Sequence, residues 1–250
     1  MISKNQIKYL SSLSVKKNSQ KHQKVLLEGY RLIEESIKAG ADIEHIYITE
    51  NSKNKISTKV LESIDYDIIS EIDLKKISDT KNSQGIIAIA NVKKYYLNTL
   101  DQLNKKSVVI LDGIHDPGNL GTIFRTCVWF GIKSIILTSS SIDPFNLKCM
   151  RSGVGAHFYL DNIISENENE IVHYLNNKNY NMIAADLKGD KIDTIDTTNK
   201  WALVLGSEAH GLSSLFEKFQ KVTIARKGNL ESLNVSIACG IIVNQLTKNN

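Results

Sequence analysis

Residues 108–127 read VVILDGIHDPGNLGTIFRTC. Val108–Leu111 is a short aliphatic run, and Asp112 ends it. A loop shaped by Gly113, Pro117, Gly118 and Gly121 follows, and an apolar helical pattern opens at about Leu120 and runs to Phe130. A continuous apolar run without alternation fits a strand buried on both faces of a parallel sheet. Ser134–Leu137, Met182–Ala185 and Ala202–Leu205 repeat that character, and helical stretches at Leu120–Phe130, Glu166–Lys178, Ser214–Phe219 and Val235–Leu246 separate them. Strands alternating with helices predict βαβ units, an α/β fold.

Working outward, residues 1–91 alternate helical and strand patterns on a smaller scale. Helices are expected at Glu28–Ala39, Ser57–Ile64 and Ile72–Ile77, and strands at Glu44–Thr49, Tyr66–Ile69 and Gly85–Ala90. The polar stretch 92–106, VKKYYLNTLDQLNKK, reads as a linker. The expected organisation is a small α/β domain over 1–91, a linker over 92–106 and a larger α/β domain over 107–250.

The chain of 250 residues holds 31 basic and 27 acidic groups, with 42% hydrophobic residues, an ordinary globular composition. Residues 1–27 contain six lysines (Lys4, Lys8, Lys16, Lys17, Lys21 and Lys24) and no acid, so the whole positive excess sits there. Such a segment suits a polyanion, nucleic acid above all, or is a solvated Lys-rich helix. The apolar runs are strand-length, far short of the ~20 residues of a membrane helix. The three cysteines, Cys127, Cys149 and Cys239, lack disulfide or zinc spacing, and a start without a secretory pattern suggests a reducing cytoplasm. His22, His45, His115, His157, His173 and His210 show no metal-ligand spacing, so no metal is expected.

In parallel sheets ligands sit beyond the carboxyl ends of the strands. Three loops there carry chemistry-bearing residues. In the first, Asn119 lies near the expected helix start, and Arg125 sits in an apolar helix, as a ligand contact or paired with a carboxylate. In the second, LVLGSEAHGLS at 203–213, Glu208 follows the strand end, as a site residue or a cap. In the third, residues 227–246, Ser232 and Asn234 precede a helix, where capping and ligand binding are compatible. No P-loop, complete dinucleotide fingerprint or nucleophile elbow is present.

Asn119 with Arg125, then LGSEAHGLS, then SLNVS, in this order, resembles the three motifs of the SpoU/TrmH family of RNA ribose 2′-O-methyltransferases. Arg151–Ser152–Gly153 with Gly155–Ala156 is similar to a further family stretch, and LLEGYRLIEESIKAG after a Lys-rich helix resembles the attached substrate-binding domain. The resemblance implies the α/β trefoil knot of the SPOUT class, S-adenosylmethionine as cofactor, and a homodimer with the active site near the subunit interface. It implies that Arg125 activates the ribose hydroxyl, that Asn119 and Glu208 shape the substrate pocket, and that Ser232 and Asn234 belong to the catalytic loop. Gly206, Ile224 and Leu233 match positions holding the cofactor through backbone contacts. The six lysines and Arg151 would contact RNA. An attached amino-terminal domain favours rRNA over tRNA, and a non-catalytic RNA-binding protein is the third alternative. The chain departs from the family at Ile224–Ala225–Arg226, where members often read Ile-Pro-Met; this loosens the loop and adds a charge near the cofactor.

Overall fold

The structure, a computed structural model, describes residues 2–80, 82–103 and 107–248. Two compact units emerge: Met1–Lys94 with Asp143–Tyr159, and Tyr95–Ile142 with Leu160–Asn250.

The chain begins in the first unit with α1 (Lys4–Ser12), α2 (Lys16–His22), β1 (Lys24–Glu28), α3 (Tyr30–Lys38) and β2 (Ile43–Ile48). It continues through α4 (Thr58–Ser63), β3 (Tyr66–Ile68), α5 (Glu71–Ile77) and β4 (Ile86–Asn91). These strands form one sheet in the order β1-β4-β2-β3. Side chains alternate across a strand, so β4 feeds two cores. Ile87 and Ile89 join Leu10, Leu26 and Leu74 on one face, and Ile86, Ala88 and Ala90 join Leu27, Ile33 and Ile46 on the other.

The second unit takes β5 (Ser107–Asp112), α6 (Pro117–Trp129) and β6 (Ser134–Thr138). The chain then returns to the first unit for α7 (Leu147–Gly153), whose Leu147 and Met150 enter the two cores just described. It finishes in the second unit with β7 (Asn162–Glu166), α8 (Glu168–Asn177), β8 (Asn181–Lys191), β9 (Trp201–Gly206), β10 (Gln220–Thr223) and α9 (Val235–Leu246). All six strands of this unit are parallel, in the order β10-β8-β9-β5-β6-β7. The aliphatic runs are buried as expected: Val108, Ile110, Ile136, Ala184 and Val204 pack together against Ile171 and Leu175 of α8.

Several expectations shift. Of the stretch 92–106 read as a linker, 104–106 lie outside the described residues; within the rest Leu100, 3% exposed, is buried in the second unit's core, with Tyr95 and Leu97 packed against it. Helix α6 starts at Pro117, not Leu120, because Asp116 caps it by accepting from Asn119 N at 2.7 Å and Pro117 suits the first turn. The expected helix at 214–219 is only a single 3-10 turn, Phe216–Lys218. Strand β7 and helix α7 lie outside the expected elements. Among the described residues, no helix is long and apolar enough to cross a membrane.

Candidate active site

Strand β9 lies between β8 and β5, and chain direction along the sheet reverses beside β5. Asp112 and Gly206 are register partners at the carboxyl ends of β5 and β9. The first two loops therefore leave the sheet side by side, at the place where parallel sheets bind ligands. Asp112 ties them together: its Oδ2 accepts from Ser213 N at 2.6 Å, and the residue is 4% exposed. The sequence shows no sign of this link, since a strand-terminal Asp carries no mark of its partner.

The turn after β9 is built on glycine. A Cβ on Gly206 would stand 2.4 Å from the carbonyl carbon and oxygen of Gly211, and Gly211 itself has φ +67°. Ser207 and Gly211 exchange backbone hydrogen bonds of 3.0 and 2.9 Å, which aims Glu208 out of the turn.

Glu208 then gathers the three loops. Its Oε1 accepts from Asn119 Nδ2 at 3.1 Å, Asn234 Nδ2 at 2.8 Å and Val235 N at 3.1 Å. Asn234 Nδ2 also donates to Asn119 Oδ1 at 2.9 Å. Asn234 caps α9 as well, its Oδ1 accepting from Ser236 N at 2.9 Å and from Ser236 Oγ at 2.5 Å. One residue from each motif thus enters a single polar network, and the capping of α9 by Asn234 is part of it. Glu208 does not cap a helix of its own.

A cavity of about 570 Å³ opens beside this network. Leu205, Val222, Ala238 and Ile242 give it an apolar wall, and residues 224–233 run along it. Gly206, Ile224, Ser232 and Leu233 all line it. At the position where the chain departs from Ile-Pro-Met, Arg226 Nη1 donates to the Leu230 carbonyl at 3.3 Å. Asp186, which also lines the cavity, accepts from Lys188 N at 3.0 Å and pairs with Lys221 at 2.9 Å; these contacts, the Lys188 N–H first, hold its carboxyl below the ordinary range.

Arg125 stands apart. It lies six residues after Asn119 on α6, about 240° around the helix, is exposed, and has no partner among the described residues. Trp129, one turn further on, is 84% exposed. Ser232 likewise makes no hydrogen bond to the network among the described residues.

In the first unit, Lys4, Lys8, Lys16, Lys17 and Lys21 are exposed on α1 and α2, whereas Lys24 is paired with Glu44. Arg151 is not a free cation: its guanidinium lies 3.4 Å from Glu28 and 3.6 Å from Asp79. Glu28 is buried and also accepts from Ser78 and, at 2.6 Å, from Thr80. The carboxylate pairing considered for Arg125 is thus found at Arg151.

A sequence profile described as the SpoU rRNA Methylase family matches residues 106–244. The chain belongs to this family. A profile described as an MRM3-like substrate binding domain matches residues 4–88. The SpoU chain is 29% identical over 247 residues to the 23S rRNA (guanosine(2553)-2′-O)-methyltransferase RlmP of Bacillus subtilis, covering 97% of this chain and 96% of that one. Among solved structures it resembles the AdoMet-bound rRNA methyltransferase from Sinorhizobium meliloti, with a TM-score of 0.84, 25% identity and coverage of 100% and 97%. It also resembles a putative RNA methyltransferase of the TrmH family from Porphyromonas gingivalis, with a TM-score of 0.83, 28% identity and full coverage of both chains. The parallel sheet expected from the apolar runs is present, and so is the amino-terminal substrate-binding domain expected from the pattern of residues 1–91 and LLEGYRLIEESIKAG.

Proposed function

We propose that this chain is an S-adenosylmethionine-dependent methyltransferase that modifies a ribose 2′-hydroxyl of RNA, with large-subunit rRNA as the substrate. The observation that carries this reading is the network of Asn119, Glu208 and Asn234, assembled from the three SpoU motifs, whose Glu208 lines the cavity. The RlmP relative and the AdoMet-bound neighbour support the same chemistry.

The cavity suits the cofactor. Its volume of about 570 Å³ falls in the usual range for ligand sites, and its lining includes apolar side chains of the kind an adenosine would pack against. The backbone of Gly206, Ile224 and Leu233 would hold that part. When bound, S-adenosylmethionine supplies an electrophilic sulfonium methyl. The protein's task is then to hold the acceptor hydroxyl in line and manage its proton, and positioning of this kind supplies a large part of a rate. The Asn119–Glu208–Asn234 network would fix the third loop, and with it Ser232, against the substrate. Arg125 would bind the target phosphate and stabilise the developing alkoxide; a guanidinium with a pKa above about 12 is a poor base.

Homodimer formation belongs to this proposal. Arg125 shares a face of α6 with Trp129, and Ile237 and Ile241 are exposed on α9, which packs against α6. Exposed apolar groups of this size favour a partner surface. A second copy seated there would bring Arg125 to a subunit interface. The trefoil knot, a cytoplasmic location and RNA docking by the lysines of α1 and α2 complete the reading.

Mapping 2′-O-methylation in rRNA and tRNA from cells with and without the gene tests the function. A single rRNA ribose losing its methyl group is the expected result. Loss at a tRNA position would reassign the substrate, and intact methylation with no S-adenosylmethionine binding by calorimetry would reject the enzyme.

A further inference from the structure

Residues 224–234 connect β10 to α9, and 224–233 line the cavity. The charged groups lining the cavity divide into two sets. Asp186 is committed to Lys221 and to the Lys188 N–H, and Glu208 to the Asn119–Asn234 network. The others, Arg226, Lys227 and Glu231, all belong to the 224–234 segment and are exposed. Lys227 and Glu231 have no partner among the described residues. Arg226 spends one of its five N–H donors on the Leu230 carbonyl, at 3.3 Å. The cavity is therefore lined both by apolar side chains and by a segment carrying uncommitted charges of both signs.

That pattern suits a ligand with an apolar heterocycle at one end and an amino-acid zwitterion at the other. We propose that Arg226 recognises the α-carboxylate of S-adenosylmethionine, with Glu231 as the counter-charge for its ammonium group. The proposal rests on the reading of this cavity as the S-adenosylmethionine site. Of the two cations on the segment, Arg226 is the one preset for a carboxylate. Its planar fork matches two carboxylate oxygens, whereas Lys227 offers a point charge. The bond to Leu230 restrains the guanidinium before the ligand arrives, so less rotamer freedom is lost on binding. In Ile224–Ala225–Arg226, Ala225 stands where relatives often carry the rigid Pro, and Arg226, at the following position, both closes the segment and reads the ligand.

Isothermal calorimetry on the full-length protein with two ligands tests this: S-adenosylmethionine and its decarboxylated analogue. The native chain is expected to bind the carboxylated ligand about tenfold or more tightly than the analogue, the ratio that one charge-assisted hydrogen bond supports. Arg226→Ala should abolish that preference by weakening only the carboxylated ligand, and Arg226→Lys should keep part of it. Arg226 is exposed, so neither substitution disturbs a packed core. An unchanged preference in Arg226→Ala overturns the proposal, including the case where both ligands weaken together because Arg226 only staples the segment. A native chain with no preference also overturns it. Binding of neither ligand by the native chain removes the cofactor reading and this inference with it.

Discussion

The side-chain amide of Asn119 donates to Glu208 Oε1 at 3.1 Å, joining residues 89 positions apart in sequence. The same oxygen holds Asn234 and the first N–H of α9. Glu208→Ala would release all three donors at once. Methyl transfer is expected to fall about a hundredfold, the scale of a small misplacement of reacting groups. The three motifs act as a unit, so Asn119→Ala combined with Glu208→Ala should cost much less than the sum of the two single effects. A double-mutant cycle on kcat/KM measures this, and strict additivity would show that the network does not couple.

Gly206→Ala places a methyl group against the backbone of Gly211, which cannot rotate aside. The turn carrying Glu208 must open. We expect a stability loss of about 1–3 kcal/mol, as for overpacked sites, and a larger proportional loss of S-adenosylmethionine affinity. Urea melts and calorimetry on one preparation compare the two.

Arg125→Lys keeps the charge and removes the fork. Arg125 has no partner among the described residues and Lys keeps the charge, so the fold of the single chain should be unaffected. Single-turnover methylation should slow at least about tenfold, as expected where planar, bidentate recognition is removed, while cofactor affinity stays the same. Near-normal turnover would dismiss any role for the guanidinium.

Lys17 and Lys21 lie one turn apart on α2, both exposed. Changing both to Ala should weaken RNA binding and flatten the plot of log affinity against log salt, by ~0.7–0.9 for each phosphate that is no longer neutralised. Filter binding across a potassium chloride series provides the slope. Lys24, paired with Glu44, should contribute less when substituted.

His157 is buried in the first unit, with Nε2 donating to the Pro144 carbonyl at 2.8 Å. Burial pushes its pKa down from 6.5 to about 4. The folded protein thus keeps this ring neutral at pH values where the unfolded chain protonates it. The stability it protects is complete above pH 6.5 and drains away as the pH falls towards 4. Between pH 7 and 5 this amounts to about 2 kcal/mol. Urea melts of His157→Leu at the two pH values should lack that increment relative to the native chain.

The legible parts of the fold are those set by local pattern. Val108–Leu111, Ser134–Leu137 and Ala202–Leu205 announce β5, β6 and β9 because strands buried on both faces admit almost no polar residue. Strand β7, NIISE, escapes a pattern reading because Asn162, Ser165 and Glu166 break the run, and what makes it a strand is its pairing with β6. Leu100 escapes it for a related reason: one apolar residue among polar neighbours has no periodicity, although the core accepts it. At the site, residue types and order single out Asn119, Glu208 and Asn234, but the bonds among them depend on the register of β5 and β9, which no local pattern encodes. The allegiance of Leu147 and Met150 is equally hidden, since an apolar helix face does not state which core it fills.

That allegiance has a hereditary consequence. Asp143–Tyr159 belongs to the amino-terminal unit, while the residues before and after it build the other. No single cut in the polypeptide, and no single crossover in its gene, parts the two units. A fragment starting at Tyr95 would carry Leu147 and Met150 without the cores they complete, and one ending at Lys94 would leave Glu28 without Arg151. The amino-terminal unit is therefore not an exchangeable cassette. Replacement of the amino-terminal unit is expected to require compensating changes within residues 143–159, at Leu147, Met150 and Arg151 first.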